Sequence, residues 1–342
     1  MKRSKFTLLL SVILLLAFVS QGVLAQPKTK VKLVQVIPAL SFAPTYVAMD
    51  KGLFAAEGIE ISFQRVRGGA AGKAAISGGS AEFCACSGND LLDMARNQIP
   101  ALGVHGIATG MTMNIFVNKA FLRKLKKRGI TPRSSLQKRI LALKNAKMGV
   151  TSLGGAPDLY SRWLIGTVGL NPKKDITNIA IGIPPALRAA AMKGSIDGFF
   201  LSPPLAQQME LDGQGSILIY ARDVAEFKEF VHEVLIVQTR LAEKNPRLVE
   251  KVVRAMARSN NFIQDRTAEA SKLLQKRFAR INPEVINKSV ELMKHNFGRD
   301  GRMTETMWRN TIKVNLDWRI PDHGLNTKEG PWWTNKFIKG VR

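Results

Sequence analysis

The chain is 342 residues long and 45% hydrophobic, with 51 lysines and arginines against 26 acidic residues, a formal net charge of +25. Such a length exceeds what one hydrophobic core ordinarily organises and suits two domains. A strongly basic chain fits nucleic acid as a partner, but here the charge is dispersed, no zinc-finger spacing or RNP-type motif occurs, and the opening residues read as an export signal, so nucleic acid is excluded. The charge reads instead as a field favouring anionic solutes, or as contact with acidic lipid or an acidic protein.

Lys2, Arg3 and Lys5 form a positive segment, and Leu8 to Val19, broken only by Ser11, an apolar core too short to span a bilayer. Val23-Leu24-Ala25 fits a small-residue cleavage site. Residues 1–25 are therefore expected to be a signal peptide cleaved after Ala25, which places the mature protein in the periplasm; no cysteine follows Ala25 to carry a lipid anchor. From Val31, short apolar strands alternate with helices, the pattern of an α/β protein with largely parallel sheets. Strands are predicted at 31–37, 59–66, 81–86 and 101–107, with helices near 44–51, 70–77 and 89–97. A second series follows, with strands at 147–151, 178–182, 197–201 and 216–220 and helices near 157–168, 185–193 and 203–211. The apolar stretches Asn114–Val117 and Val234–Gln238 mark two transitions between the series, a two-strand hinge that would leave a ligand site between two lobes. From Leu241 the chain reads mostly helical, opening on Asn245-Pro246 with Leu248, Val252, Val253, Ala255 and Met256 at helical spacing.

The two cysteines, Cys84 and Cys86, stand at i, i+2 on a strand and share a face; a bond between residues so close would strain the backbone, so they read as core side chains. A lone C-x-C supplies too few ligands for a metal. The basic run from Arg123 to Arg139 reads as a solvated loop and helix face.

Prolines announce helices at Ala43-Pro44, Ala156-Pro157, Pro184-Pro185 and Ser202-Pro203-Pro204, where turns after strand ends face the crevice of an open α/β sheet. At Ala43 and Ala156 the usual capping side chain is missing, which leaves first-turn amides for water or for a bound solute. The richest turn is Thr151-Ser152-Leu153-Gly154-Gly155-Ala156-Pro157, suited to an anion at a helix N-terminus, although Asp158 in the same turn already complements the dipole. Across the cleft, Ser41, Phe42 and Thr45 offer hydroxyls and an aromatic wall, Phe42 reading equally as core, and Gly68-Gly69-Ala70 a second close-approach turn. Catalytic signatures are missing. Gly68 to Lys73 is one residue short of a phosphate loop and has Ala74 in place of the hydroxyl; there is no G-x-S-x-G and no H-E-x-x-H. His105, His232, His295 and His323 are scattered and read as structural or exposed. Nothing calls for a cofactor.

Four passages, APTYVAMDKGLFAAEGIEISF, GGAAGKAAISGGSAEFCACSG, MGVTSLGGAPDLYSRWLIGTVGLNPKKDI and AAMKGSIDGFFLSPPLAQQ, resemble in order the substrate-binding proteins of ABC importers. The group is the nitrate/sulfonate/taurine and thiamine-precursor binders, the NMT1/THI5-like or SsuA/TauA-like family. The resemblance runs from about Val31 to Ile263, with Glu82 where the family usually has Asp. It implies a type II periplasmic binding protein fold, divided as 26–112 in lobe 1, 113–225 in lobe 2 and 226–342 returning to lobe 1. It also implies a non-enzymatic monomer that captures a small solute and hands it to an inner-membrane ABC permease with its ATPase. The solute would be sulfonate-, nitrate- or carboxylate-like, or a thiamine precursor. Carried over by position, the ligand contacts would be Ser41, Phe42, Thr45, Gly69, Ala70, Ser87, Asn89, Thr151, Ser152, Gly155, Ala156 and Ser202. Gly155-Ala156 replaces a serine-rich turn of many members, and Ser202 a frequent acid. Asp197 matches a family position but reads as structural. The alternatives are a pyrimidine-synthesising enzyme of the THI5 type, which would bring an iron-binding cysteine motif this chain lacks, and a binding protein serving a sensor or a non-ABC transporter.

Overall fold

The computed structural model describes residues 28–315 and 324–341; the leader and His323 lie outside them. Ten strands form two five-stranded sheets. The first contains β1 (Thr29–Gln35), β2 (Ile59–Arg65), β3 (Phe83–Ser87), β4 (Ala101–Ala108) and β10 (Glu233–Gln238), in the order β2-β1-β3-β10-β4. The second contains β5 (Asn114–Asn118), β6 (Ala146–Val150), β7 (Ile176–Ala180), β8 (Gly198–Leu201) and β9 (Gly215–Ile219), in the order β7-β6-β8-β5-β9. Burial follows position. β3, β4 and β5 are buried along their whole length and mostly apolar, whereas β2, at one edge of its sheet, alternates.

The expected transition strands prove to be full members of the sheets. Asn114–Val117 lies between β8 and β9, and Val234–Gln238 between β3 and β4, each antiparallel to both neighbours. Their side chains are apolar towards both faces, so each needs a neighbour on either side and cannot serve as an exposed connector. The chain itself crosses at residues 109–113 and 220–232.

Helices Ala43–Asp50, Gly68–Ser77 and Gly88–Arg96 pack on the first sheet, and Ala156–Gly166, Pro184–Lys193 and Leu205–Leu211 on the second. The last of these starts two residues later than the prolines suggest. Pro204 disfavours a helical conformation at Pro203, so Pro204 becomes the N-cap residue, after a cis Pro203–Pro204 bond. The long helix Pro246–Asp265 opens as expected, with the Asn245 side chain accepting the Leu248 amide, and packs across Ala43–Asp50. Helices Thr267–Arg277, Pro283–Met293 and Glu305–Val314 follow.

Two glycines in the K-G-L-F…E-G-I segment, Gly52 and Gly58, take positive φ of 68° and 73°, which turns the chain around the short helix Leu53–Ala56. Between them Glu57 accepts two hydrogen bonds from Arg254 at 2.9 and 2.8 Å and one from Arg258 at 3.1 Å, tying the turn to the long helix. A matched clasp recurs in both sheets. The Lys32 amide donates to Glu82 Oε2 at 2.8 Å while the Glu82 amide donates to the Lys32 carbonyl, and Lys147 and Asp197 repeat the exchange. Asp197 is therefore structural, as read.

Cys84 and Cys86 are buried in the core, but they are joined by a disulfide, contrary to the expectation of free thiols. The strand brings their Cα atoms to 5.5 Å, within the range such a bond accepts. Gly72 of the covering helix packs directly on both sulfurs; a Cβ there would stand 2.8–2.9 Å from them. The basic run also contains an exception. Arg139 is buried, donating to Asp223 at 2.6 Å and to the Leu218 carbonyl at 3.0 Å, while the helix Lys119–Lys127 keeps its lysines outside. Lys73, at the end of the incomplete phosphate loop, pairs with Asp93.

Candidate functional site

Where the two sheets meet, buried polar side chains connect them. Ser202, just past the carboxyl end of β8, shares a 2.8 Å hydroxyl–hydroxyl hydrogen bond with Thr112 of the first crossing, and Thr112 Oγ1 lies 3.0 Å from His232 Nδ1 of the second. The next residue, Glu233, opens β10 opposite Ser87 of β3. Ser41, in the 3-10 turn Leu40–Phe42, faces the Glu233 carboxyl. Tyr160, one turn into helix Ala156–Gly166, has its ring 6.4 Å from that of His232, and its phenol feels the charges of Glu233 and Asp90. Asn315, at the end of helix Glu305–Val314, stands beside the Tyr160 hydroxyl. A backbone hydrogen bond of 2.9 Å from the Leu40 amide to the Pro203 carbonyl joins the two halves directly.

Ser41 Oγ, Thr45 Oγ1, Tyr160 Oη, His232 Nε2, Glu233 Oε2 and Asn315 Oδ1 are buried and make no well-formed hydrogen bond among the described residues, although Ser41 interacts with the Glu233 carboxyl, Asn315 with the Tyr160 hydroxyl, and His232 Nε2 lies 3.6 Å from Glu233 Oε1. Buried polar atoms are ordinarily satisfied. A concentration of exceptions on elements from both sheets makes this cluster the candidate site. Burial sets the protonation states. It holds Glu233 well above the carboxylate range, with a smaller opposing pull from Ser41, and depresses His232 to about 3. It also raises Asp90 and Tyr160.

The residues designated from sequence fall into three groups. Ser41 and Ser202 belong to the cluster, and Thr45, one turn beyond Ser41 on the same face, adds an unpartnered hydroxyl. Ser87, Asn89 and Gly69 stand at its edge. Ser87 and Asp90 form the capping box of helix Gly88–Arg96, and a Cβ on Gly69 would overlap the Asp90 carboxylate. Ala70 is exposed, and Phe42 is packed into the core of the first sheet. The third group is the turn after β6. Thr151, Ser152 and Gly155 are half-buried and Ala156 is buried, with Leu153 60% exposed at the tip. The helix starts without a side-chain cap, as expected, but two amides ahead of it are already engaged. The Gly154 amide donates to Asp158 Oδ2 at 2.8 Å and that of Gly155 to the Ser152 carbonyl at 3.4 Å. Asp158 closes the turn from inside, and its other oxygen takes Arg162 at 2.8 Å and Asn178 at 2.6 Å.

Sequence reasoning missed Asp90, Thr112, Tyr160, His232, Glu233 and Asn315. A signal existed for some of them. Ser87 and Asp90 have capping-box spacing, and His232-Glu233 is a polar pair directly ahead of the apolar run Val234–Val237. Beside the first crossing lies a cavity of about 220 Å³ that shares only Thr112 with the cluster and is lined mainly by Asn114, Tyr220, Arg222, Phe227 and His295. It touches none of the designated residues, so the cluster is the better candidate.

Two mixed sheets wrapped by helices, crossed twice by the chain, with polar groups from both sides meeting between them, define the periplasmic binding protein fold. The chain belongs to the NMT1-like family, whose model matches residues 24–276. YtlA of Bacillus subtilis (strain 168) is 22% identical over 284 residues, 82% of this chain and 80% of that protein. A solved structure from Bordetella bronchiseptica RB50 superposes with a TM-score of 0.75 at 20% identity, covering 91% of this chain and 96% of that one. The periplasmic nitrate-binding protein NrtA from Synechocystis PCC 6803 superposes with a TM-score of 0.63 at 17% identity, covering 77% and 70%. At these identities the structural likenesses establish the fold.

Proposed function

We propose that this protein is the periplasmic solute-binding component of an ABC importer, exported by its leader, cleaved after Ala25 and acting as a monomer. It carries a small molecule to an inner-membrane permease driven by a cytoplasmic ATPase. The observation that carries the reading is the buried, unpartnered polar cluster contributed by both halves: Ser41 and Glu233 from the first, Tyr160 from the second, with Ser202 and His232 linked through Thr112. A solute bridging such groups contacts both halves only when they are closed, so it shifts the open–closed equilibrium by its differential affinity for the two states. The closed form is the one a permease recognises. Ser41, Phe42, Thr45, Gly69, Ala70, Ser87, Asn89, Thr151, Ser152, Gly155, Ala156 and Ser202 remain the proposed contact set from sequence, extended by Tyr160, His232 and Glu233. The binding-protein names of YtlA and of the nitrate-binding neighbour support binding rather than catalysis. The test is calorimetry on a Thr151→Ala, Ser152→Ala double variant against a solute identified by thermal-shift screening. Much weaker binding with an unchanged circular dichroism spectrum is expected; unchanged affinity refutes the placement of the site at the β6 turn.

A further inference from the structure

We infer that the cleft takes an organic cation, a protonated amine or an amidinium, whose N–H groups donate to Glu233 and to the neighbouring unpartnered acceptors Asn315 Oδ1 and His232 Nε2. The inference rests on the binding-protein reading and names the solute class for that same site.

The argument starts from a mismatch between the surface and the interior. The chain carries 51 lysines and arginines, yet among the described residues the buried one is Arg139, which is spent on Asp223 and the Leu218 carbonyl. The cluster between the sheets has the opposite character. Asp90 and Glu233 are both buried, and Asp90 is the charged group that acts on Glu233. The His232 imidazole is held neutral by burial. Glu233 Oε2 and Asn315 Oδ1 are acceptors, and Asn315 already uses its amide nitrogen on the Thr311 carbonyl at 2.7 Å. His232 Nδ1 is engaged with Thr112, so Nε2 accepts when Nδ1 carries the proton. The hydroxyls of Ser41, Thr45 and Tyr160 adapt to either role.

A receptor for sulfonate, nitrate or carboxylate supplies positive charge or several convergent N–H donors. At the β6 turn the Gly154 and Gly155 amides are bonded inside their own turn, and the cation of the helix that follows, Arg162, is spent on Asp158 at 2.8 Å. Burial already opposes ionisation of Asp90 and Glu233, and an anion in this cleft would add to that cost, whereas a cation would lower it. A cation meets them as partners, and an amidinium matches a carboxylate with two parallel N–H groups.

The experiment is a thermal-shift and calorimetric comparison of the mature protein with two sets of probes, benzamidine, agmatine and 4-aminopyridine against taurine, nitrate and benzoate, repeated on Glu233→Gln. The expected result is stabilisation by a member of the cationic set, with affinity falling at least tenfold in Glu233→Gln while the variant's melting curve stays cooperative. Binding of an anionic probe by wild type, retained or strengthened in Glu233→Gln, overturns the inference and leaves the binding-protein reading standing. If no probe of either set binds at millimolar concentration, both fall.

Discussion

Replacing Glu57 by glutamine tests whether the E-G-I turn is held by charge across the fold or merely by its glycines. Glu57 is 9% exposed and bonds to Arg254, 25% exposed, through a two-point contact, with Arg258, 40% exposed, as a third donor. Hydrogen bonds to charged groups contribute about 1.5–3 kcal/mol when shielded. Fully exposed ion pairs contribute about 0.2–1 kcal/mol. A shielded carboxylate with half-open guanidiniums falls between them, so Glu57→Gln should cost about 2 kcal/mol. By the size scaling of thermal unfolding that is roughly 3 °C in Tm for a chain of this length. The pH dependence is a second readout. The Arg254 hydrogen bond, the largest cause, holds the Glu57 carboxyl below its ordinary 4.5. A carboxyl lowered in the folded state contributes its stability in full above the unfolded value and loses it as pH falls through the folded one. Urea denaturation of wild type and variant should therefore show the whole gap at pH 7 and a shrinking gap below pH 4.5. A gap under about 0.5 kcal/mol at pH 7, within the range of a solvent-exposed pair, or one that persists unchanged into acid, refutes the reasoning.

Buried histidine gives a pH effect of defined sign. Burial depresses His105 from 6.5 to about 4, so below pH 6.5 the unfolded chain binds a proton that the folded one refuses and stability falls with pH. Removing it with His105→Gln should flatten the loss measured by urea denaturation between pH 6.5 and 5 by about 2 kcal/mol, near 1.36 kcal/mol per unit for one proton. Glu233 and Asp90, raised by burial, act in the opposite sense, stabilising the fold at low pH and losing that contribution as pH rises through their folded values. Comparing variant with wild type cancels their share. Glycine contacts give a paired prediction: a Cβ on Gly88 would overlap the Val231 carbonyl oxygen, whereas one on Gly166 meets its nearest neighbour, Pro172, at 3.5 Å. Gly88→Ala should lose more than about 3 kcal/mol, and Gly166→Ala should gain a few tenths to about 1 kcal/mol in the same denaturation assay.

The fold was legible because its signals are local. The strand–helix alternation, the Asn245-Pro246 start and the glycines of the first turn each depend on neighbours within a few residues, and the elements appear within about three residues of their expected places. The clasps were half legible. Asp197 and Glu82 stood out as acids at strand entries, yet their partners, the amides of Lys147 and Lys32, lie 50 residues earlier and carry no side-chain signature. The disulfide and the role of Glu57 were hidden for a related reason. Whether two sulfurs at i, i+2 bond depends on a local pucker of β3, and Glu57 answers to arginines about two hundred positions away that no local pattern marks.

The site shows the same division in sharper form. Ser41, Thr45 and Ser202 could be found because hydroxyls at helix starts after strand ends are where an open α/β sheet faces its ligand. His232 escaped because it was weighed alone, as one of four scattered histidines, and Glu233 because nothing local singles out a glutamate ahead of an apolar strand. Pairing changes their meaning. β10 enters the first sheet between β3 and β4, paired on both sides, so the residues at its mouth are carried inside by the very strand that returns the chain from the second half. An ionisable side chain at such a point is costly to bury unless something binds it, and a solute of the kind proposed would be that partner. The return crossing thus places Glu233 where the two halves meet, and under the proposed function Glu233, rather than the exposed turn at Leu153, is the residue whose replacement reads binding most directly.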